Sequence, residues 1–112
     1  MTYPLIIQPL AEEDMTQAAR WYDERRPGLG EEFLAEVHAA LERVAANPRQ
    51  FACLRRKPDV RRVLTSRFPY RVFFVLRPEA VVVFRVLHGA RHDRHWKRNI
   101  PADPDTNPQA DL

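Results

Sequence analysis

A chain of 112 residues with 45% hydrophobic and 29% charged content is sized for one soluble globular domain around one modest core. Its apolar runs are too short for a transmembrane helix, and MTYPLIIQPL lacks the basic leader and small-residue cleavage site of a signal peptide. The single cysteine, Cys53, excludes an internal disulfide and suits a reducing cytoplasm.

The net charge of +3 conceals an asymmetry. Residues 1–47 are acidic, whereas residues 60–98 carry Arg61, Arg62, Arg67, Arg71, Arg77, Arg85, Arg91, Arg94, Lys97 and Arg98 against only Glu79 and Asp93. A basic half attracts polyanions or an acidic protein partner. The plainer reading is solvated arginine that guards a sheet edge against aggregation.

In chain order, Tyr3–Gln8 reads as a short strand, with Pro4 suited to an edge or a strand start. Pro9 opens a helix, and Glu12, Glu13 and Asp14 suit its positive N-terminal end. Ala11, Met15, Ala18, Ala19 and Tyr22 make its apolar stripe, which Trp21 widens, and Pro27-Gly28 ends it near Arg26. A second helix, about Glu31 to Ala46, buries Phe33, Leu34, Val37, Leu41 and Val44. Asn47-Pro48 stops it, and so short a link makes an αα-hairpin.

Residues 49–59 read as a connector anchored by Phe51 and Leu54, with Cys53 expected to be a small core residue. Three strands follow: Val63–Thr65, Arg71–Leu76 and Val81–Leu87, broken by Phe68-Pro69 and Arg77-Pro78-Glu79. Links this short require antiparallel neighbours. The middle strand alternates, with Tyr70, Val72, Phe74 and Leu76 on one face and Arg71, Phe73, Val75 and Arg77 on the other. Gly89 permits a tight turn out of the last strand, and His92–Ile100 is a short helical piece or loop. The order β-α-α-β-β-β predicts an α+β domain over residues 1–100, its helical hairpin on one face of an antiparallel meander and its other face, which carries some of the arginines, open or binding something. The proline-bearing tail, 101–112, is expected to be disordered.

Arg62, Arg71, Arg91 and Trp96 form the constellation most suited to chemistry. Arginines from adjacent strands can converge on a phosphate, and an aromatic beside them can stack a base. The plainer reading is that Arg62 and Arg71 pair with helix carboxylates while Trp96 caps the core. His88, His92 and His95 have i, i+4, i+7 spacing, but Gly89 interrupts a shared helix, so no metal site is expected. His92 or His95 could act as a general acid near neutrality. His38 is expected on the surface. No phosphate-cradling glycine loop, HExxH or GxSxG motif is present, so no cofactor is expected.

The segments WYDERRPGLGEEF, NPRQF, RRVLTSRFPYRVFFVL and VVVFRVLHGARHDRHW together resemble the RelE/ParE family of toxins, the toxin halves of type II toxin–antitoxin modules, across about residues 3–98. The resemblance implies an N-terminal helical hairpin on a sheet, and a cognate antitoxin as partner. RelE-like members cut mRNA on the ribosome without a metal, whereas ParE-like members poison DNA gyrase. For the ribonuclease set, Arg71 and Arg91 match catalytic arginine positions and Arg62 a lysine position. The second lysine position falls on Leu64, and the tyrosine position on Trp96, which is neither acid nor base. The long hairpin with its Trp-Tyr segment is more ParE-like. The expected function is therefore gyrase inhibition, with the ribosome-dependent ribonuclease and a non-toxic antitoxin-binding module as alternatives. The partner-binding set expected with it is Trp21, Tyr22, Arg61, Arg67 and Arg85, along the open sheet face and the groove beside the helices; neither a membrane nor a small-molecule cofactor is expected to bind.

Overall fold

The computed structural model describes residues 2–89 and 94–101, without the side chains of Arg94 and His95. The elements run β1 (Leu5–Ile7), α1 (Pro9–Arg25), α2 (Leu29–Ala46), a 3-10 turn (Pro48–Gln50), β2 (Ala52–Arg55), β3 (Val60–Leu64), β4 (Tyr70–Leu76), β5 (Val81–His88) and α3 (Arg94–Lys97). They form an α+β fold on one five-stranded sheet, in the order β1-β5-β4-β3-β2. β2 to β5 are antiparallel, and β1 joins the edge of β5 in parallel. The expected helical hairpin and meander are present. The domain boundary placed at residue 100 falls at the edge of the described chain, and the tail 102–112 lies outside the described residues.

The expected connector contains a strand. β2 pairs with β3 through Ala52↔Arg62 and Cys53↔Arg61 and closes the far edge of the sheet. Cys53 is therefore exposed on an edge strand and is not a core residue. Phe51 and Leu54 do anchor the connector, but in different places. Phe51 packs under the helices and Leu54 on the opposite face, as successive side chains of extended backbone do when separated by an odd count.

The helices cover one face. Ala11, Met15 and Ala18 of α1 and Phe33, Val37, Ala40, Leu41 and Val44 of α2 pack on Val63, Val72, Phe74, Val81, Val83 and Val86. Two glycines make the hairpin possible. Gly28 has φ 90°, a left-handed conformation that a side chain disfavours, and it turns the chain from α1 into α2. At Gly30 a Cβ would overlap the Ala19 carbonyl oxygen, and the Gly30 N–H donates to Asp23 Oδ1 at 2.8 Å.

The other face is not fully open. Val60, Phe73, Val75, Val82 and Phe84 form a second core, and Trp96 on α3, 6% exposed, closes it with its ring stacked on Phe73 at 5.8 Å. Ile100 and Leu87 pack beside them. Of the two expectations for the outer face, an open one fails over its apolar half, where Trp96 caps the core as its plainer reading has it, because five apolar side chains there require cover from water. The two faces differ in what they leave exposed, and that difference defines the candidate sites.

Candidate functional site

The polar part of the outer face lies at one end of the sheet. β3 and β4 pair through Arg62↔Phe73 and Leu64↔Arg71, so Arg62 and Arg71 stand on the same face as diagonal neighbours. Such positions are about 7–8 Å apart at the backbone, within reach of two long side chains. Arg71 also runs beside the turn that leaves β5, since a Cβ at Gly89 would come 3.6 Å from its Nε. Arg62 and Arg71 therefore come together as the alternation of β4 predicts. Leu64 lies between them, 55% exposed and apolar. Arg91, the third arginine of this set, and His92 lie outside the described residues. Trp96 is placed with the apolar core, not with the arginines, and its buried ring offers no free stacking face.

A different site is built at the other edge of the sheet. β1 pairs only with Val81–Val83, so the rest of β5 runs on without a strand beside it among the described residues. A bulge between Phe73 and Phe74 on the β4 side sets Phe84 and Arg85 both against Phe73, and turns Arg85 toward α1. There Arg85 Nε donates to Asp14 Oδ2 at 2.8 Å, Nη2 to Asp14 Oδ1 at 3.0 Å, and Nη1 to Asn99 Oδ1 at 2.8 Å. Asp14 Oδ2 also accepts the Val86 N–H at 2.9 Å, so the carboxylate satisfies the strand edge that β1 leaves. This pair bolts α1 to β5.

Beside the bolt, α1 and β5 diverge to leave a groove of about 650 Å³, lined by residues that include Gln17, Trp21, Tyr22, Tyr70, Arg85 and His88. An aromatic cluster shapes its inner wall. Tyr22 meets Phe33 at 5.4 Å, Phe68 at 4.8 Å and Tyr70 at 6.2 Å, and Tyr70 meets His88 at 5.3 Å. Burial pushes the Tyr22 hydroxyl above its ordinary pKa, so it stays a neutral phenol. Trp21 stands at the rim, 49% exposed, edge-on to Tyr22 at 5.1 Å with the Arg25 guanidinium 3.3 Å over its ring. The cation packs on one face of that ring, so Trp21 is a half-exposed aromatic surface next to the groove.

The remaining members of the expected partner-binding set are tied into the fold. Arg61 lies on the helix side, where Nε donates to Asp59 Oδ1 at 2.9 Å and Nη1 donates to the carbonyls of Arg49 and Phe51 at 3.1 and 2.9 Å. It staples β2 and the 3-10 turn to β3. Arg67 Nη2 reaches Glu32 Oε1 at 3.1 Å, and Ser66 Oγ donates to Glu36 Oε2 at 2.8 Å, so the β3–β4 turn is held to α2. Glu32 also accepts from Arg26 at 2.9 Å, and its pKa is held down, first by the Arg67 hydrogen bond and then by that of Arg26. Sequence reasoning selected Arg85 but missed Asp14 as its partner. The acidic first turn of α1 pointed only to the helix dipole, and no local signal links positions so far apart.

Comparison with known proteins now bears on this arrangement. Residues 5–93 match the model of a family described as ParE toxin of type II toxin-antitoxin system, parDE. The chain belongs to the ParE toxin family. Among solved structures, the chromosomal ParDE TA system from P. aeruginosa matches with a TM-score of 0.68 at 15% identity, covering 78% of this chain and 96% of that one. At that identity the likeness speaks for the fold, which is of the RelE/ParE type. No curated protein matches the chain by sequence. This ParE-family chain is thus a type II toxin by family, with the family match spanning every element from β1 to β5. No helix among its described residues is long and apolar enough to cross a membrane.

Proposed function

We propose that this ParE-family toxin acts in the cytoplasm by binding and inhibiting DNA gyrase, and that a cognate antitoxin silences it by occupying the groove between α1 and β5. The observation that carries this reading is Trp21. A half-exposed tryptophan, held by Arg25 at the rim of an aromatic-walled groove, has the character of a binding anchor. Tyr22 contributes from the wall, and Arg85 lines the same groove while bound to Asp14. An antitoxin segment with an apolar face would fill it in the manner of a helix in a groove.

A ribosome-dependent ribonuclease is the second reading, favoured by the diagonal placement of Arg62 and Arg71. Two guanidinium groups stabilise a phosphorane-like charge. However, cleavage by the RNA 2′-hydroxyl also needs a general base, and Leu64 between those arginines provides none. The gyrase reading is therefore preferred.

A supercoiling assay with purified toxin tests it. Inhibition at micromolar protein, relieved by the antitoxin encoded beside it, is expected. Unimpeded supercoiling, or cleavage of ribosome-bound mRNA that Arg71→Ala abolishes, would replace it with the second reading.

A further inference from the structure

The β2–β3 hairpin carries a charge that none of the contacts above absorbs. From Arg49 to Arg62 the chain places Arg49, Arg55, Arg56, Lys57, Arg61 and Arg62 against one acid, Asp59. Arg61 already neutralises that acid through a part-buried ion pair at 2.9 Å. Arg49 is taken up by the Tyr3 hydroxyl at 3.1 Å. Arg62 is half-buried on the outer sheet face, diagonal to Arg71. Arg55, Arg56 and Lys57 are exposed, with no ion pair to any carboxylate among the described residues. The last paired residues of the hairpin are Arg55 and Val60, so Arg56 and Lys57 stand on the turn beyond the ladder.

That position separates two explanations. Cations that guard a sheet edge flank the strand whose hydrogen-bonding groups they protect. Arg56 and Lys57 flank no strand edge, because they sit past the end of the pairing. They form a projecting cationic tip on the turn 56–59 that joins β2 to β3, where successive cations attract a polyanion.

We propose that this tip, Arg55-Arg56-Lys57, is a docking surface for the phosphate backbone of duplex DNA. Guanidinium forks and an ammonium fit phosphate oxygens. The tip has no aromatic side chain on which an unpaired base could stack, and Leu54 turns away into the outer core. It also has no pocket that would hold the side chains of an acidic peptide, since Ala52 and Cys53 beside it are small and exposed. The contact is therefore electrostatic and indifferent to sequence. It stands independently of the gyrase reading, because it concerns a different end of the molecule and binding to DNA alone.

The test is anisotropy of a short labelled duplex with the full-length toxin, measured from about 50 to about 200 mM salt. Each phosphate contact contributes about 0.9 to the slope of log affinity against log salt. Arg55→Ala/Arg56→Ala/Lys57→Ala should lower the slope magnitude by about 2.7 and weaken binding at least tenfold at the lowest salt, with unchanged circular dichroism. Arg55→Lys/Arg56→Lys should retain the slope, and Arg20→Ala/Arg43→Ala on the helices should leave it unaltered. No duplex binding by the wild type, equal binding by the triple variant, an equal loss in the helix variant, or tighter binding of polyglutamate than of duplex would each overturn the proposal.

Discussion

Asp14 and Arg85 meet in a two-pronged ion pair, Nε to Oδ2 at 2.8 Å and Nη2 to Oδ1 at 3.0 Å, across 71 positions of sequence. Their side chains are only 12% and 16% exposed, so water contributes little to either charge. The same carboxylate terminates the strand edge at Val86. Removing it would strand a part-buried guanidinium with Asn99 as its remaining partner and leave the Val86 N–H unmet. Asp14→Ala should therefore destabilise the fold by roughly 3 kcal/mol, measured by urea unfolding. Asp14→Leu/Arg85→Leu should be less damaging than either single change, because it leaves no charge behind. A double variant more damaging than either single change would refute this account of the pair.

Gly30 offers a prediction whose sign opposes the usual rule. Replacing a helical glycine by alanine ordinarily stabilises, by roughly 0.5–1 kcal/mol. Here a Cβ would run into the Ala19 carbonyl oxygen and lie 2.8 Å from Asp23 Oδ2. Both are part of the α1 end that the Gly30 N–H grips through Asp23. Gly30→Ala should separate the helices and cost about 1–3 kcal/mol. Thermal unfolding checks it, and an unchanged or raised Tm would show that the hairpin can yield.

How much of this was legible in the chain depends on the range of the interaction. The helix stripes are local, and Phe33, Val37, Leu41 and Val44 all pack inward as their spacing implies. The alternation of β4 likewise places Arg71 and Phe73 opposite Val72 and Phe74. β2 was hidden because four residues, Ala-Cys-Leu-Arg, between Pro48 and Pro58 carry too little pattern to show a strand. The bulge at Phe84-Arg85 was hidden because β5 is apolar almost throughout, and an inserted residue leaves no mark on an unbroken run. That bulge decides where Arg85 points. The candidate groove was consequently less legible than the fold, although its aromatic rim, Trp21-Tyr22, was recognisable as a segment.

Glu32 sets a pH-dependent contribution. Hydrogen bonds from Arg67 and then Arg26 lower its folded pKa below the ordinary value of 4.5. The unfolded chain then binds more protons than the folded one as acid is added, so stability falls with falling pH. The contribution is complete above about pH 4.5 and disappears as pH drops through the lower folded value. Glu32→Gln should lower stability at neutral pH by the small amount that these solvent-exposed pairs contribute, leave it unchanged at the acid end, and so flatten the acid limb. Urea midpoints taken from neutral pH down to about pH 3 would show it; an unaltered acid limb would mean that Glu32 does not hold Arg67 and Arg26 in solution.

Trp21 separates folding from binding. Its side chain is 49% exposed, touches Tyr22 edge-on and carries the Arg25 guanidinium over its ring, so Trp21→Ala removes those two contacts and the half of its surface that is buried. The expected cost in stability is about 1–2 kcal/mol. If the groove is the antitoxin site, the same change removes a rim anchor, for which losses of about 2 kcal/mol, some thirtyfold in Kd, are typical of a central tryptophan. Titration of the variant with its antitoxin, alongside its unfolding curve, distinguishes the two effects. Arg25→Ala should produce a smaller loss of the same kind, since it frees the ring without deleting it. Unweakened antitoxin binding by Trp21→Ala would move the docking surface away from the α1–β5 groove and onto the face that bears Arg62 and Arg71.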